Sequence, residues 1–335
     1  MELLKKLYGI YSPSGQGTEM CNFIVEWVYE NVQNVNVEQD NTGNLFITKG
    51  IADTYPCVAA HLDQVQRLHS DDFVVLCTQG LLFGYSPSNK RQEGLGADDK
   101  NGIWVALNCL KKFDVLKVAF FVGEEVGCVG SKACDMDFFA NTRFVLQVDR
   151  RDNGDLVTDI YDEMCSPEFL NDVRYEKFGY NITNGLMTDV ATLKERGLKV
   201  SCVNMSCGYY EPHTDHEFTI MSELENTLAF VENIIENCTD VYPHVPKPRR
   251  IGYSGLFDDY DGWTGRSSHY YDQHFYEYDI YDMIGKIVSY NGYDNTLTFA
   301  DFYKWHKDEF CNVKKRTLKR IFKEYMEDYE FCFGN

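Results

Sequence analysis

The sequence predicts an α/β fold: a mixed, mostly parallel sheet sandwiched by helices, with a small, mostly helical C-terminal appendage. Three observations carry the prediction. Short, wholly apolar runs such as YPCVAA, before His61, have the character of strands buried on both faces of a sheet. Strand-like and helix-like segments alternate as far as about residue 238. Polar and charged residues recur where those apolar strands end, as they do in loops beyond the carboxyl edge of an open α/β sheet.

The elements follow in order. TEMCNFIVEWVYENVQ carries apolar residues at helical spacing over 17–32, with Thr18 as its expected N-cap. NVNVEQ and NLFITKG read as strands around the turn Asn41-Thr42-Gly43. YPCVAAH is a buried strand, and FVVLC and LLFGY form a hairpin around Thr78-Gln79-Gly80. NGIWVALNCLKKF is a helix. LKVAFFVGEE and NTRFVLQVDRRD are apolar strands that each end in charge. PEFLNDVRYEKFG and DVATLKERG read as helical, LKVSCVNMSCG as a strand, and MSELENTLAFVENIIENC as an amphipathic helix. Composition then changes at YPHVPKPRRIGYSG, a linker. The expected organisation is a principal domain over 1–240, then 241–335 as linker plus an aromatic-rich segment, helical from Thr298 onward.

The 44% hydrophobic fraction of the 335 residues is enough for a sizeable core. A formal net charge of −20 argues against nucleic-acid binding, which needs Lys and Arg to replace phosphate counterions. It equally disfavours anionic membranes, and no apolar run approaches the ~20 residues of a membrane span. The opening MELLKKLYGIYSPSG lacks the apolar core of a secretion signal. The 12 cysteines are scattered without a CxxC pair. They read as reduced thiols, and a cytoplasmic location is expected.

His61 and Asp63 follow YPCVAA, Asp98 and Asp99 precede a helix, Glu124 and Glu125 follow VAFFVG, Asp149 follows FVLQV, and His213 lies in GYYEPHTDHEF. If these loops share one sheet edge, two imidazoles and at least five carboxylates converge. Carboxylates crowded in that way repel and are driven to bind protons unless a cation is present. Imidazole plus carboxylate suits zinc, with manganese or cobalt as alternatives. Taken singly, each signal has a plain structural reading. His-x-Asp occurs at 61/63, 69/71, 213/215 and 306/308. His216 rivals His213, an acid pair is commonly a solvated surface, and Asp98 or Asp99 can cap a helix. Thr188-Asp189 reads as an N-cap or as a residue pair near the site. Tyr209 and Tyr210 read as packing or as pocket lining.

Taken in order, AAHLDQV, GLGADDKNG, VGEEVGCVGS, LQVDRRD and GYYEPHTDHEF resemble the dizinc exopeptidases. These are the M20 metallopeptidases, above all the peptidase T/aminotripeptidase branch, and the related M42 and M28 families. The resemblance spans roughly residues 1–238 and implies a zinc exopeptidase-like, phosphorylase/hydrolase-like fold. It implies that His61 and Asp149 hold one metal, that Glu125 and His213 hold the other, and that Asp98 bridges them. Asp99 is then not a ligand. Asp63 would accept the second ring N–H of His61, and Glu124 would be the general base, activating a water between two zinc ions to cleave the amide bond of a short peptide. Only 63 residues separate Asp149 from His213, too few for the lid domain of many M20 enzymes, so a lid-mediated dimer is not expected. The aromatic C-terminal segment is a candidate cover for the cleft in its place. Two other functions fit the same residues: a deacylase or amidohydrolase of N-acyl amino acids, and a non-catalytic scaffold on a peptidase fold.

Overall fold

The protein is described by a computed structural model covering residues 1–160 and 162–246, and beyond them 280, 283–285, 287–288, 296–307, 310 and 315–333. The chain divides into two units, Met1–Pro246 and Lys247–Asn335.

In the first unit, the described residues form a nine-stranded sheet. Its order is β1 (Val35–Gln39), β2 (Leu45–Lys49), β7 (Leu116–Phe121), β3 (Tyr55–His61), β8 (Thr142–Arg150), β12 (Cys202–Ser206), β9 (Asp155–Ile160) and β10 (Asp162–Glu163), with β11 (Asn181–Asn184) beside β9. The central strands β7, β3, β8 and β12 are parallel, while β2 and β9 join them antiparallel. Every residue of β3, β7 and β12 is buried, and apolar residues make up most of each strand.

Alternation along these strands feeds two cores. Val58, Ala60, Val118, Phe120 and Leu146 pack on one face with α1 (Glu2–Tyr8), α2 (Thr18–Asn31), α3 (Ala97–Lys112) and α7 (Met221–Asn237). Cys57, Ala59, Ala119, Phe121 and Val145 pack on the other with Val190 and Leu193 of α6 (Asp189–Glu195). The predicted sandwich is thus the observed architecture.

A smaller sheet runs β13 (Tyr209–Tyr210), β14 (Phe218–Ile220), β5 (Leu81–Ser86) and β4 (Val74–Thr78), with β6 (Arg91–Glu93) also on β5. Its β4–β5 hairpin turns at Gln79 and Gly80, both at positive φ, as the sequence signals. Both sheets contain strands that the apolar pattern does not reveal. β6, β9, β10, β11, β13 and β14 are short or polar and leave no run to read.

Several boundaries differ from expectation. Thr18 is the first residue of α2 and makes no capping hydrogen bond; the N-cap is Gly17. The helix expected from Asn101 begins at Ala97, with Asp98 and Asp99 off helical geometry and a cis peptide between them. The helical stretch after Pro167 breaks in two, α5 (Pro167–Val173) and a 3-10 turn (Tyr175–Phe178), because Arg174 adopts φ +54°. The expected linker starts too early: Tyr242 is buried and its N–H donates to the Arg143 carbonyl, so the first unit continues to Pro246.

In the second unit, helices run over Phe299–His306 and Lys315–Phe333. The Thr298 hydroxyl caps the first by accepting from the Asp301 N–H. Phe302 packs against Phe322 and Phe310, with ring centroids 4.7 and 5.7 Å away. The expected helical character beyond Thr298 is present. Most of the aromatic stretch before it lies outside the described residues. Among the described residues no helix is long and apolar enough to cross a membrane.

Candidate metal centre

Parallel strands end on the same edge of a sheet, and this edge collects the polar residues. His61 closes β3, and Asp63 follows it. Glu124 and Glu125 lie just beyond β7, and Asp149 lies at the end of β8. His213 sits in the loop between β13 and β14 at φ +64°, and Asp98 lies in the distorted first turn of α3.

Asp98 stands between the two histidines. Its Oδ1 is 2.9 Å from His61 Nε2, and its Oδ2 is 3.2 Å from His213 Nε2. His213 Nε2 is also 3.2 Å from Glu125 Oε1, and His61 Nε2 is 3.5 Å from Asp149 Oδ1. Three groups of possible ligand atoms result, each within 4.8 Å of one another: His61, Asp98 and Asp149; Asp98, Glu125 and His213; His61, Glu124 and Glu125. The five residues named from the sequence as ligands, and Glu124 named as the base, therefore meet in one small volume.

His61 fixes the polarity of the cluster. Its Nδ1 lies 3.0 Å from the Asp63 main-chain carbonyl, which can only accept, so Nδ1 carries a hydrogen. Nε2 then faces the carboxylates of Asp98 and Asp149. Burial alone would keep the ring neutral, but Asp149 and the hydrogen bonds of Asp149, Asp63 and Asp98 raise it well above the ordinary histidine range. Asp98 is penalised by burial, yet His213 and His61 hold it well below the usual carboxylate range. Burial, reinforced by Asp98, pushes Asp149 well up; burial, reinforced by Asp149, does the same to Asp99. Two imidazoles are outnumbered by buried acids, and divalent cations would relieve that imbalance. The donor set, ring nitrogen and carboxylate oxygen, fits zinc, cobalt or manganese.

Around this set the neighbours hold the side chains in place. The Asp63 carboxylate is 3.6 Å from His61 Nδ1, farther than its own carbonyl, so the ring N–H expected to reach the carboxylate goes to the main chain. The carboxylate instead accepts from the Glu124 N–H at 3.1 Å and the Ser14 hydroxyl at 2.6 Å. Burial opposes its ionisation, but His61, Ser14 and Glu124 hold it below the usual range. Glu124 is buried, and its Oε1 accepts from the Cys128 thiol at 3.7 Å. Asp99 turns away from the histidine rings. It accepts from the His61 N–H and the Gly102 N–H, each at 3.0 Å, and so caps the regular part of α3. A Cβ at Gly102 would lie 2.4 Å from both Asp99 Oδ1 and the Val148 carbonyl, so the approach demands glycine.

The other sequence candidates separate cleanly. His216 lines a surface groove with Leu81, Phe83 and Phe218 instead. His69 stacks between Tyr11 and Phe73. Tyr209 is core, and Tyr210 stacks on Phe218 and donates to Glu223. Thr188 occupies the N-cap position of α6, yet its hydroxyl donates to Gln147 Oε1. Gln147 also accepts from the Val190 N–H and donates to Asp149 Oδ2 at 2.9 Å, so it orients that carboxylate. Asp189 is buried, accepts from the Ser131 hydroxyl, and is pushed up to about 8 by burial and by Glu124. Sequence reasoning overlooked Gln147 and Glu217. Both are buried polar residues, and the only available signal was a glutamine inside the apolar run FVLQV and an acid directly before β14.

No family model matches the sequence, and no curated protein sequence does. Solved structures match in fold. The aminopeptidase PepT of Bacillus cereus ATCC 10987 aligns with TM-score 0.59 at 16% identity, over 71% of this chain and 97% of that one. A tripeptidase of Staphylococcus aureus subsp. aureus Mu50 aligns with TM-score 0.55 at 15% identity, over 70% and 96%. The aminopeptidase APDkam598 of the archaeon Desulfurococcus kamchatkensis aligns with TM-score 0.51 at 17% identity, over 70% and 94%. At these identities the likeness is one of fold.

Proposed function

We propose that the protein is a metal-dependent exopeptidase that removes residues from short peptides, of the aminopeptidase or tripeptidase type. The observation that carries this reading is the Asp98 carboxylate set between two imidazoles, one oxygen to each. A fold shared with structures named aminopeptidase and tripeptidase supports it.

His61, Asp149 and Asp98 would hold one divalent cation, and Glu125, His213 and Asp98 a second, both of them zinc in this reading. When bound, such cations supply Lewis acidity, which polarises an amide carbonyl and lowers the pKa of water. The protein's own groups do the rest. Glu124, beside the same atoms and with Oε1 accepting from the Cys128 thiol, takes a proton from the attacking water and returns it to the leaving amine. Asp63 sets the position of that base through the Glu124 N–H, and through its own carbonyl it sets the tautomer of His61. Among the described residues the free cysteines other than Cys77 are buried, which supports a cytoplasmic location.

The test pairs metal analysis with a substrate panel. Purified protein is expected to bind two zinc equivalents and to hydrolyse dipeptides or tripeptides. Turnover of N-acyl amino acids alone would replace the peptidase reading with a deacylase. No uptake of zinc, cobalt or manganese in the micromolar range would leave a scaffold.

A further inference from the structure

Asp98 is held from behind by a residue that is not one of the proposed ligands. Glu217 is fully buried, and its carboxylate accepts from two successive main-chain N–H groups, Ala97 at 3.0 Å and Asp98 at 3.2 Å. These open the turn in which Asp98 leaves helical geometry. N–H groups at a helix start have no partner within the helix, and a carboxyl oxygen can supply one. Glu217 stands four residues after His213, at the end of the same loop. One side chain therefore ties the His213 loop to the Asp98 turn.

A polarised chain of amides reaches the same carboxylate. The buried Lys100 Nζ donates to Gln64 Oε1 at 2.5 Å, Gln64 Nε2 donates to Gln66 Oε1 at 3.2 Å, and Gln66 Nε2 donates to Glu217 Oε2 at 3.2 Å. Lys100 Nζ donates at one end and Glu217 Oε2 accepts at the other, so both amides point the same way along the chain. The turn itself is wedged among these groups. A Cβ at Gly94 would lie 2.5 Å from Gln66 Cγ and 2.6 Å from the Thr214 carbonyl. The lysine of the GADDKNG motif thus serves this chain and not the acids beside it.

We infer that Glu217 is a positioning residue for the metal centre, holding Asp98 in register between His61 and His213. The inference rests on the proposed dizinc reading. A buried carboxylate with three donors cannot be replaced by an amide without opposing one N–H to another. Glu217→Gln should therefore loosen Asp98 while preserving volume.

The experiment is zinc titration against a competing chelator, with chemical denaturation of the metal-free proteins. Glu217→Gln is expected to weaken zinc binding by about 10–100-fold, the range for groups that orient ligands. Gln66→Met, which removes one donor to Glu217 and leaves the main-chain bonds, is expected to weaken it less. Tyr180→Phe is the control. It removes a buried hydroxyl that bonds the Ser206 carbonyl and Thr227, so it should lower stability and leave zinc affinity unchanged. If Glu217→Gln does not fold, Gln66→Met decides: zinc affinity equal to wild type overturns the inference. Wild-type affinity in Glu217→Gln also overturns it, as does a loss in Tyr180→Phe equal to that in Glu217→Gln. A wild-type chain that binds no zinc overturns the dizinc reading, and the inference with it.

Discussion

At the scale of single residues, the centre is a problem of charge. His61 and His213 share Asp98, while Asp149, Glu124 and Glu125 crowd the same space. Glu124 is the proposed base and not a proposed ligand. Glu124→Ala is thus expected to retain zinc and to lose peptide hydrolysis by at least ~10²-fold. Full turnover with metal bound would end that assignment. Asp189 gives a second prediction. It is raised to about 8, so the folded chain binds its proton between about pH 4 and pH 8, where the unfolded chain has released it. Its contribution to stability is complete below the unfolded value and is lost as pH rises through the folded one. Metal-free protein should lose stability from pH 5 to pH 9 on this account. Asp189→Asn, which keeps an acceptor for Ser131, should lose less. Urea midpoints at pH 5, 7 and 9 measure both slopes, and parallel slopes would refute the account. His61, Asp63, Glu124, Glu125 and Asp149 were legible in the sequence because each closes or closely follows an apolar strand, a local feature, and Asp98 because it precedes a helix. Glu217 and Gln147 were not, because their partners are remote in sequence and a buried polar side chain carries no periodicity.

At the scale of elements, the start of α3 matters most. The acid pair that opens it divides its tasks: Asp98 faces the imidazoles, and Asp99 caps the helix and holds the His61 N–H. The sequence left either acid free to cap, since local pattern does not say which side chain turns inward. Gly102→Ala should cost about 1–3 kcal/mol of stability through overpacking against Asp99 and Val148. It should also weaken zinc binding by shifting the pair. A denaturation midpoint equal to wild type would show that α3 yields to the added methyl group. Long helices and buried strands were readable from apolar spacing, as with YPCVAAH. Edge and ribbon strands were not: β11 is mostly exposed and needs no apolar run, and β13 is only two residues long.

At the scale of the whole molecule, Met1–Pro246 carries both faces of the sandwich and all the proposed ligands. A chain ending at Pro246 is expected to fold and to bind zinc as the full chain does. Circular dichroism and a zinc titration would check this, and an unfolded fragment would show that residues 247–335 complete the core. The mostly parallel sandwich was readable because strands buried on both faces have a distinctive composition. The boundary at Pro246 was not, since Tyr242 adds to the body through main-chain bonds that a Pro-rich stretch conceals.

The four parallel strands also govern when the centre can come into being. β7, β3, β8 and β12 are neighbours in the sheet but far apart along the chain, so their pairing closes long loops and is slow. His61 and His213 meet only once those loops have closed. During refolding, cation capture should therefore lag behind secondary structure, and the ion should serve as a clock for the last step of assembly rather than a seed for the first.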